Sequence, residues 1–160
     1  MPTRVLFVCL GNICRSPAAE AAFEHAATEA GLAGEFVIDS AGTGAWHVGE
    51  PADRRMRDAG QRRGIKVTSR ARQVSDEDFK TFDHILAMDI TNLRALRRQA
   101  PVEYRNKIRL FRDLDPHGQG EDVPDPYYGD TAGFDEVLDI VTRTARALLE
   151  ELRPRSRPPE

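Results

Sequence analysis

Cysteine is scarce in this chain, which has two cysteines in 160 residues. Two thiols cannot build a disulfide-stapled scaffold, and a zinc site would need two more ligands. The four histidines are scattered without the short spacing of metal ligands. We therefore expect no metal site and no cofactor, and we expect the two thiols to be reduced.

Long apolar runs are also missing. No stretch approaches the roughly 20 apolar residues that a membrane-spanning helix needs. Residues 1–4 lead straight into the first predicted strand and leave no room for a secretory signal. The net charge of −3 gives no strong attraction for nucleic acid. We expect a cytoplasmic protein without nucleic-acid or membrane partners.

The composition is that of an ordinary globular protein, with 40% hydrophobic and 31% charged residues. A chain of this length most often forms one domain with a sizeable core. We expect a single domain over residues 1–152. Residues 153–160 are rich in proline and arginine and are expected to form a disordered tail.

Strand and helix patterns alternate along the chain. Short apolar runs predict four strands, at residues 5–8, 35–39, 84–88 and 107–111. Helical patterns cover residues 17–30, 51–64, 90–97 and 134–152, and a capping box at Ser75 predicts a short helix. This alternation predicts an α/β fold of three layers, a four-stranded parallel sheet with helices on both faces.

Ligands of such sheets bind at the carboxyl ends of the strands. Cys9, Ser40 and Asp89 each follow a predicted strand, and so does the long loop at residues 112–131. That loop is rich in glycine, proline and aspartate, and loops of such length are usually functional or disordered. We expect all four to meet on one rim.

The first strand leads into the most informative stretch, Cys-Leu-Gly-Asn-Ile-Cys-Arg-Ser-Pro at residues 9–17. Gly11 and Asn12 tolerate left-handed backbone, so the chain can turn tightly there. Ser16 is expected to be the N-cap of a helix whose first residue is Pro17. The order strand, tight loop, helix is therefore predicted.

This order of elements suits an anion site. Loop amides and a helix N-terminus bind anions, and Arg15 adds a planar fork of donors that matches phosphate oxygens. Both the helix and Arg15 favour a charged sulfur at Cys9. Cys9 is therefore the candidate nucleophile for covalent phosphoryl transfer.

The pattern C-x5-R-S resembles the active-site loop of cysteine-dependent phosphatases. With Leu-Gly-Asn-Ile-Cys inside it and close to the N-terminus, it is similar to the low-molecular-weight protein tyrosine phosphatase family, over residues 5–152. The resemblance implies strand order 2-1-3-4 and hydrolysis of phosphotyrosine through a cysteinyl-phosphate. It also implies a loop that binds phosphate or sulfate through Leu10, Gly11, Asn12, Ile13, Cys14, Arg15 and Ser16.

A cysteine phosphatase needs an acid to protonate the leaving oxygen. The candidate is Asp125, which lies between two prolines in a stretch that resembles the family's Asp-Pro-Tyr-Tyr loop. The resemblance makes this residue the general acid and then the general base. From the residues alone it could be a turn aspartate, as could its neighbours Asp113, Asp115, Asp122 and Asp130.

Aromatic residues are candidates for the substrate wall. Trp46, Tyr127 and Tyr128 would form a deep slot that admits a phenyl phosphate and excludes a short serine phosphate. The expected partner is a phosphotyrosine protein or an aryl phosphate. The protein is expected to be a monomer or a weak homodimer. The sequence does not name the physiological substrate.

Other loop residues have expected supporting roles. Asn12 would hold the turn, the Ser16 hydroxyl would donate to the thiolate, and Asp89 would support the loop through hydrogen bonds. In the resembling family, Cys14 can form a reversible disulfide with the nucleophile. Its other interpretation is a packed thiol.

Three alternatives differ in chemistry. Arsenate reductases with this loop pass electrons through further cysteines, which this chain lacks. Arginine phosphatases typically carry threonine where Ile13 stands and lack the paired tyrosines. A silent phosphotyrosine-binding module would fit a chain without Cys9, Arg15 or Asp125. The sequence thus favours a protein tyrosine phosphatase.

Overall fold

The apolar run at residues 5–8 lies at the centre of the molecule, and its four side chains are fully buried. Because strand side chains alternate, Val5 and Phe7 face one apolar cluster while Leu6 and Val8 face another. Phe7 packs against Phe23, with ring centroids 5.8 Å apart. A strand that is apolar on both faces has to be covered on both sides, as in a three-layer α/β fold.

The computed structural model describes residues 1–154. Within them, the strands are β1 (Thr3–Cys9), β2 (Phe36–Gly42), β3 (His84–Ala87) and β4 (Ile108–Leu110). The α-helices are α1 (Arg15–Glu29), α2 (Arg54–Gln61), α3 (Asp76–Thr81), α4 (Ile90–Gln99) and α5 (Thr131–Leu152). Most of the predicted tail, residues 155–160, lies outside the described residues. None of the helices described is long and apolar enough to cross a membrane.

All strand pairs are parallel, in the order β2-β1-β3-β4. Helices α1 and α5 pack together on one face of the sheet, and α3 and α4 cover the other. The strand ends therefore meet on one rim, where Cys9 pairs in register with Gly42 and Met88 donates its N–H to the Val8 carbonyl at 3.0 Å. The predicted fold class and strand order are confirmed.

Two predicted helix starts are wrong. Helix α1 begins at Arg15 with Cys14 as the N-cap residue, and Ser16 lies in its first turn with the hydroxyl turned inward. Helix α2 begins at Arg54, and Asp53 caps it by accepting the Arg55 N–H at 2.9 Å. The sequence predicted that α2 begins at Pro51, but the carboxylate of Asp53 is a stronger determinant of the helix start because it caps the first turn.

The long loop after β4 is anchored to α5 by a buried ion cluster. Its first residues form a 3₁₀ turn, Phe111–Leu114. The fully buried carboxylate of Asp115 accepts hydrogen bonds from Arg143 at 2.7 and 2.9 Å, and from Arg112 at 2.9 Å. The Arg143 hydrogen bonds hold the pKa of Asp115 well below its ordinary value, against the burial that would raise it.

We expect Asp115→Ala to destabilise the fold by about 3–5 kcal/mol at pH 7, because it leaves the buried Arg112 guanidinium with only the exposed carboxylate of Glu121 as an ion-pair partner. Since the folded pKa of Asp115 is lowered, its contribution is present above the unfolded value of about 3.9 and is lost as pH falls below it. Urea unfolding at several pH values measures this. Asp113→Ala, at an exposed position of the same turn, is the control. An equal loss in both variants would contradict the role of the cluster.

Candidate active site

The loop between β1 and α1 curls around the sulfur of Cys9. Asn12 has a φ of 57°, the only positive φ of a non-glycine residue within residues 1–154, in the left-handed turn predicted for it. The chain after β2 holds the loop from outside. The N–H groups of Thr43 and Gly44 donate to the carbonyls of Cys9 and Leu10, both at 2.9 Å.

Gly42 allows this close approach because it has no side chain. A Cβ at this position would lie 2.8 Å from the Leu10 carbonyl oxygen, too close for any other residue. The sequence analysis gave Gly42 no role. Nothing local distinguishes it from the other glycines of residues 42–49.

Asn12 is the hub of a buried hydrogen-bond network. Its side-chain amide donates to the hydroxyl oxygens of Ser16 at 2.8 Å and Ser40 at 3.0 Å. Its Oδ1 accepts the backbone N–H of Arg72 at 3.0 Å, which fixes which end of the amide donates. The sequence predicted that Asn12 holds the turn but did not predict this network.

The orientation of Asn12 sets the direction of the serine hydroxyls. Because both oxygens accept from Asn12, each hydroxyl proton is directed to another acceptor. For Ser16 this is Cys9 Sγ at 3.0 Å, with the Ala41 carbonyl farther away at 3.4 Å. The Asn12 N–H also donates to Cys9 Sγ, at 3.3 Å. Two hydrogen-bond donors therefore point at this sulfur.

Cys14 lies in a different environment. Burial, with the nearby charges of Asp53 and Cys9, raises the pKa of the Cys14 thiol far above its ordinary value. Cys14 is thus held as a neutral thiol at physiological pH, and both cysteines are free and buried. The disulfide that the resemblance implied stays a prediction.

Arg15 connects the loop to two other elements. Its Nη1 donates to Asp89 Oδ2 at 2.7 Å and to the Val123 carbonyl at 3.1 Å, and its Nη2 lies 3.7 Å from Asp125 Oδ2. Burial acts to lower the pKa of Arg15, but the charges of Cys9 and Asp89 outweigh it and raise that pKa. The guanidinium is therefore a fixed positive charge at the loop.

Asp125 lines the same cavity as Cys9. The Val123 N–H donates to the Met88 carbonyl at 2.8 Å and so ties the start of this segment to the end of β3. The Asp125 side chain is 47% exposed, and its Oδ1 accepts the Tyr127 N–H at 3.1 Å. This carboxyl group is therefore accessible from the cavity.

The other aspartates of the long loop are used elsewhere. Asp115 is the buried ion-pair partner described above, and Asp122 accepts the Ile90 N–H at 2.9 Å. Asp130 is the N-cap residue of α5, and Asp113 is exposed on the 3₁₀ turn. Only Asp125 of these five lines the cavity, which the sequence alone could not decide.

The cavity has a volume of about 330 Å³. It is lined by Cys9, Leu10, Gly11, Ile13, Cys14, Arg15, Trp46, His47, Asp125, Tyr127 and Tyr128. All three predicted wall aromatics are among them, and Trp46 and Tyr128 are 73% and 94% exposed. Asn12 and Ser16, which were also predicted to bind phosphate, are buried and do not line the cavity. Within residues 1–154, no three His, Cys, Asp or Glu side chains are grouped to hold a metal ion.

A family-wide sequence profile described as low molecular weight phosphotyrosine protein phosphatase matches residues 4–157. The chain belongs to this family. It is 47% identical over 156 residues to the low molecular weight protein-tyrosine-phosphatase of Streptomyces coelicolor, covering 96% of this chain and 95% of the relative. It is 44% identical over 149 residues to the human family member, covering 92% and 94%.

Solved structures of similar proteins have the same fold. An Entamoeba histolytica protein tyrosine phosphatase with Hepes in its active site gives a TM-score of 0.91 at 44% identity, covering 94% of this chain and 96% of that one. Vibrio vulnificus Wzb in complex with benzylphosphonate gives 0.83 at 29% identity, covering 95% and 100%. The predicted family and enzyme class, a low molecular weight protein-tyrosine phosphatase, are confirmed.

Sequence analysis of this phosphatase missed several residues around the site. His47 lines the cavity, packs on Gly11 and hydrogen-bonds to Glu50, although the scattered histidines of the sequence gave no sign of this position. Arg72 pairs with Asp39 and Asp78 and orients Asn12. No spacing rule connects these residues, since they come from separate loops.

Glu20 was also missed, and it ends the network that starts at Cys9. Its Oε1 accepts the Ser40 hydroxyl at 2.6 Å. Burial raises the pKa of Glu20 to about 7, despite the lowering effect of Ser40, and the charges of Asp39 and Glu24 raise it further while Arg72 lowers it. The phosphatase thus carries a carboxyl group behind its loop that titrates near neutral pH.

We expect Glu20→Gln to change how stability depends on pH. The folded pKa is raised above the unfolded value of about 4.3, so the contribution of Glu20 is present below that value and is lost as pH rises to about 7. Relative to wild type, the variant should gain roughly 2 kcal/mol between pH 5 and pH 8. Urea unfolding across this range measures it. Glu24→Gln, exposed on the same helix, should show no such change. Matching profiles for both variants would refute this.

Proposed function

We propose that the chain hydrolyses phosphotyrosine in proteins, with Cys9 as nucleophile, Arg15 as phosphate ligand and Asp125 as general acid and then base. The observation that carries the proposal is that these three side chains line one cavity with three aromatic rings at its mouth. The geometry provides a nucleophile, a cation and an acid on one substrate-sized space.

The phosphate would bind in the loop of residues 9–15. The N-terminus of α1 and the loop amides attract an anion, and Arg15 matches its oxygens. A relative, Vibrio vulnificus Wzb, has been solved in complex with benzylphosphonate, in which a methylene group joins phosphorus to a phenyl ring and takes the place of the ester oxygen of an aryl phosphate. We infer that the same class of ligand enters the loop of this chain.

In the first step, the Cys9 thiolate attacks phosphorus while the bond to the phenolic oxygen breaks. Asp125 gives its proton to that oxygen, so tyrosine leaves neutral. Ser16 and Asn12 donate to Cys9 Sγ and hold it as the thiolate before attack. Arg15 stabilises the charge on the equatorial oxygens. The product is a cysteinyl-phosphate and an Asp125 carboxylate.

In the second step, the Asp125 carboxylate takes a proton from a water molecule that attacks phosphorus. The sulfur–phosphorus bond breaks, inorganic phosphate leaves and the Cys9 thiolate is restored. Cys14 takes no part, because its raised pKa keeps it a thiol. The cycle returns the loop and the acid to their starting states.

The aromatic mouth supports tyrosine as the substrate side chain. Trp46, Tyr127 and Tyr128 stand around the opening, and the Tyr127 and Tyr128 rings meet edge to face at 4.9 Å. A phenyl ring would pack between such walls, whereas phosphoserine is too short to bring its phosphorus to the sulfur.

We further propose that the protein is cytoplasmic, a monomer or weak homodimer, and a single domain over residues 1–152.

Matched peptides that carry phosphotyrosine, phosphoserine or phosphoarginine test the proposal. Phosphate release in EDTA at mildly acidic pH should be confined to the phosphotyrosine peptide. A preference for phosphoarginine would keep the nucleophile and overturn the role of Ile13 and the tyrosines. Binding of phosphotyrosine without turnover would overturn the catalytic proposal.

A further inference from the structure

A second charged pair lies just outside the cavity, at the start of α2. The backbone N–H of Asp53 donates to the Ile13 carbonyl at 2.7 Å, which ties this pair to the phosphate-binding loop. The Asp53 carboxylate accepts the Nε–H of Arg55 at 3.1 Å and its Nη2–H at 2.9 Å. Asp53 therefore fixes the Arg55 guanidinium next to the loop.

The same guanidinium reaches the segment that carries Asp125. Its Nη2 donates to the Tyr127 carbonyl at 3.0 Å. Its plane lies 4.5 Å from the centroid of the Phe134 ring and 5.6 Å from that of the Tyr127 ring. A guanidinium can bond in its plane and stack on rings at once, which a lysine ammonium cannot reproduce.

Tyr127 is the residue that orients Asp125, because its N–H donates to Asp125 Oδ1 at 3.1 Å. The segment is anchored at Val123 on one side and at the start of α5, Thr131, on the other. Arg15 lies 3.7 Å from Asp125, beyond hydrogen-bond distance. Holding Tyr127 therefore holds the carboxyl group.

We propose that Arg55 is a positioning residue that holds the acid loop against the phosphate-binding loop, so that Asp125 faces the leaving oxygen. The inference rests on the proposed function, in which Asp125 is the acid. Arg55 does not itself line the cavity and acts through its contacts with Tyr127, which does. Its loss should therefore impair protonation of the leaving group more than attack by Cys9.

Leaving groups of different basicity separate these effects. A dinitrophenolate leaves without a proton, whereas an unsubstituted phenolate needs one. For Arg55→Met, we expect kcat/KM with phenyl phosphate to fall about 10–100-fold and with dinitrophenyl phosphate less than about 3-fold. Arg55→Lys should fall between Arg55→Met and wild type. Inhibition by inorganic phosphate should be unchanged.

Arg54→Met is the matched control, since the Arg54 side chain is 85% exposed and faces Asp58 only at 3.8 Å. It should behave as wild type with every ester. The double variant Arg55→Met/Asp125→Asn should be no slower than Asp125→Asn alone, because both changes remove the same function, protonation of the leaving group by Asp125. A fall in kcat/KM that is equal for both esters, or additive losses in the double variant, would overturn the inference.

The single variant Asp125→Asn distinguishes a failure of the Arg55 inference from a failure of the proposed function. If it shows the steep leaving-group dependence and neither Arg55 variant does, Arg55 is not a positioning residue and the acid assignment stands. If Asp125→Asn shows no such dependence, the acid assignment fails and the inference fails with it. Should Arg55→Met be unfolded by circular dichroism, the conservative Arg55→Lys decides in the same way.

Discussion

Replacing Cys9 by serine is expected to abolish turnover of the phosphotyrosine peptide, by about 10⁵-fold or more, because a serine hydroxyl is not ionised at physiological pH. Ser16 and Asn12 direct two donors at the sulfur. They stabilise a thiolate and cannot activate an alcohol, which would need a base. Cys14, the other thiol that lines the described cavity, cannot replace Cys9, since burial raises the pKa of Cys14.

Binding should survive the same substitution. The loop amides, the N-terminus of α1 and Arg15 are unchanged in Cys9→Ser, so the phosphotyrosine peptide should bind within about 10-fold of the wild-type affinity. Isothermal titration with the peptide measures this directly. Acid quench during turnover of the wild type should trap one phosphoryl group on Cys9, detectable by peptide mass.

Cys14→Ser is the matched control on the same loop. Its thiol is neutral and takes no part in either step, and serine is a favourable residue at the N-cap position that Cys14 occupies, so the variant should keep kcat/KM within about 10-fold. If Cys14→Ser were inactive and Cys9→Ser active, the nucleophile would be assigned to the wrong cysteine. If both were inactive but folded, the loop would depend on both sulfurs.

The second large effect is expected for Asp125→Asn. An amide has no proton to give to the leaving oxygen, so kcat/KM with phenyl phosphate should fall by about 10²–10⁴-fold. With dinitrophenyl phosphate, kcat/KM should stay near wild type because that leaving group needs no proton. The kcat should fall with every ester, because the amide also fails as base for the attacking water.

Asp130→Asn is the control for charge in the same segment. Asp130 is exposed and is the N-cap residue of α5, a position where asparagine is as favourable as aspartate. Steady-state kinetics of both variants with the same esters should show a fall in kcat/KM with phenyl phosphate for Asp125→Asn only. A similar loss in Asp130→Asn would mean that loop charge, and not a positioned acid, promotes the reaction.

The sequence determined the local features of this protein. The apolar run at residues 5–8 supplies side chains to both core clusters, because successive residues of a strand point to opposite faces. The alternation of strands and helices specified the parallel sheet. Cys9 and Arg15 lie six positions apart on one loop, so their proximity follows from the chain itself. The left-handed turn at Asn12 is likewise a property of a single residue type.

The role of Ser16 shows where local rules stop. A serine before proline is a strong N-cap signal, yet α1 starts two residues earlier than this signal predicts, and the Ser16 hydroxyl bonds inside the loop. Capping preference is worth about 1 kcal/mol, and a buried hydroxyl next to Asn12 and Cys9 has to be satisfied by hydrogen bonds. The buried contacts decide the position of the helix start.

Only the tertiary structure decided which aspartate lines the cavity with Cys9 and which residues surround that cavity. Five aspartates share one loop, and their environments differ through partners far along the chain, such as Arg143 for Asp115. Glu20 and Arg55 join the site through Ser40 and Tyr127 in the same way. Periodicity and spacing report on neighbours within a few positions. Contacts between segments arise only when the sheet brings the strand ends together.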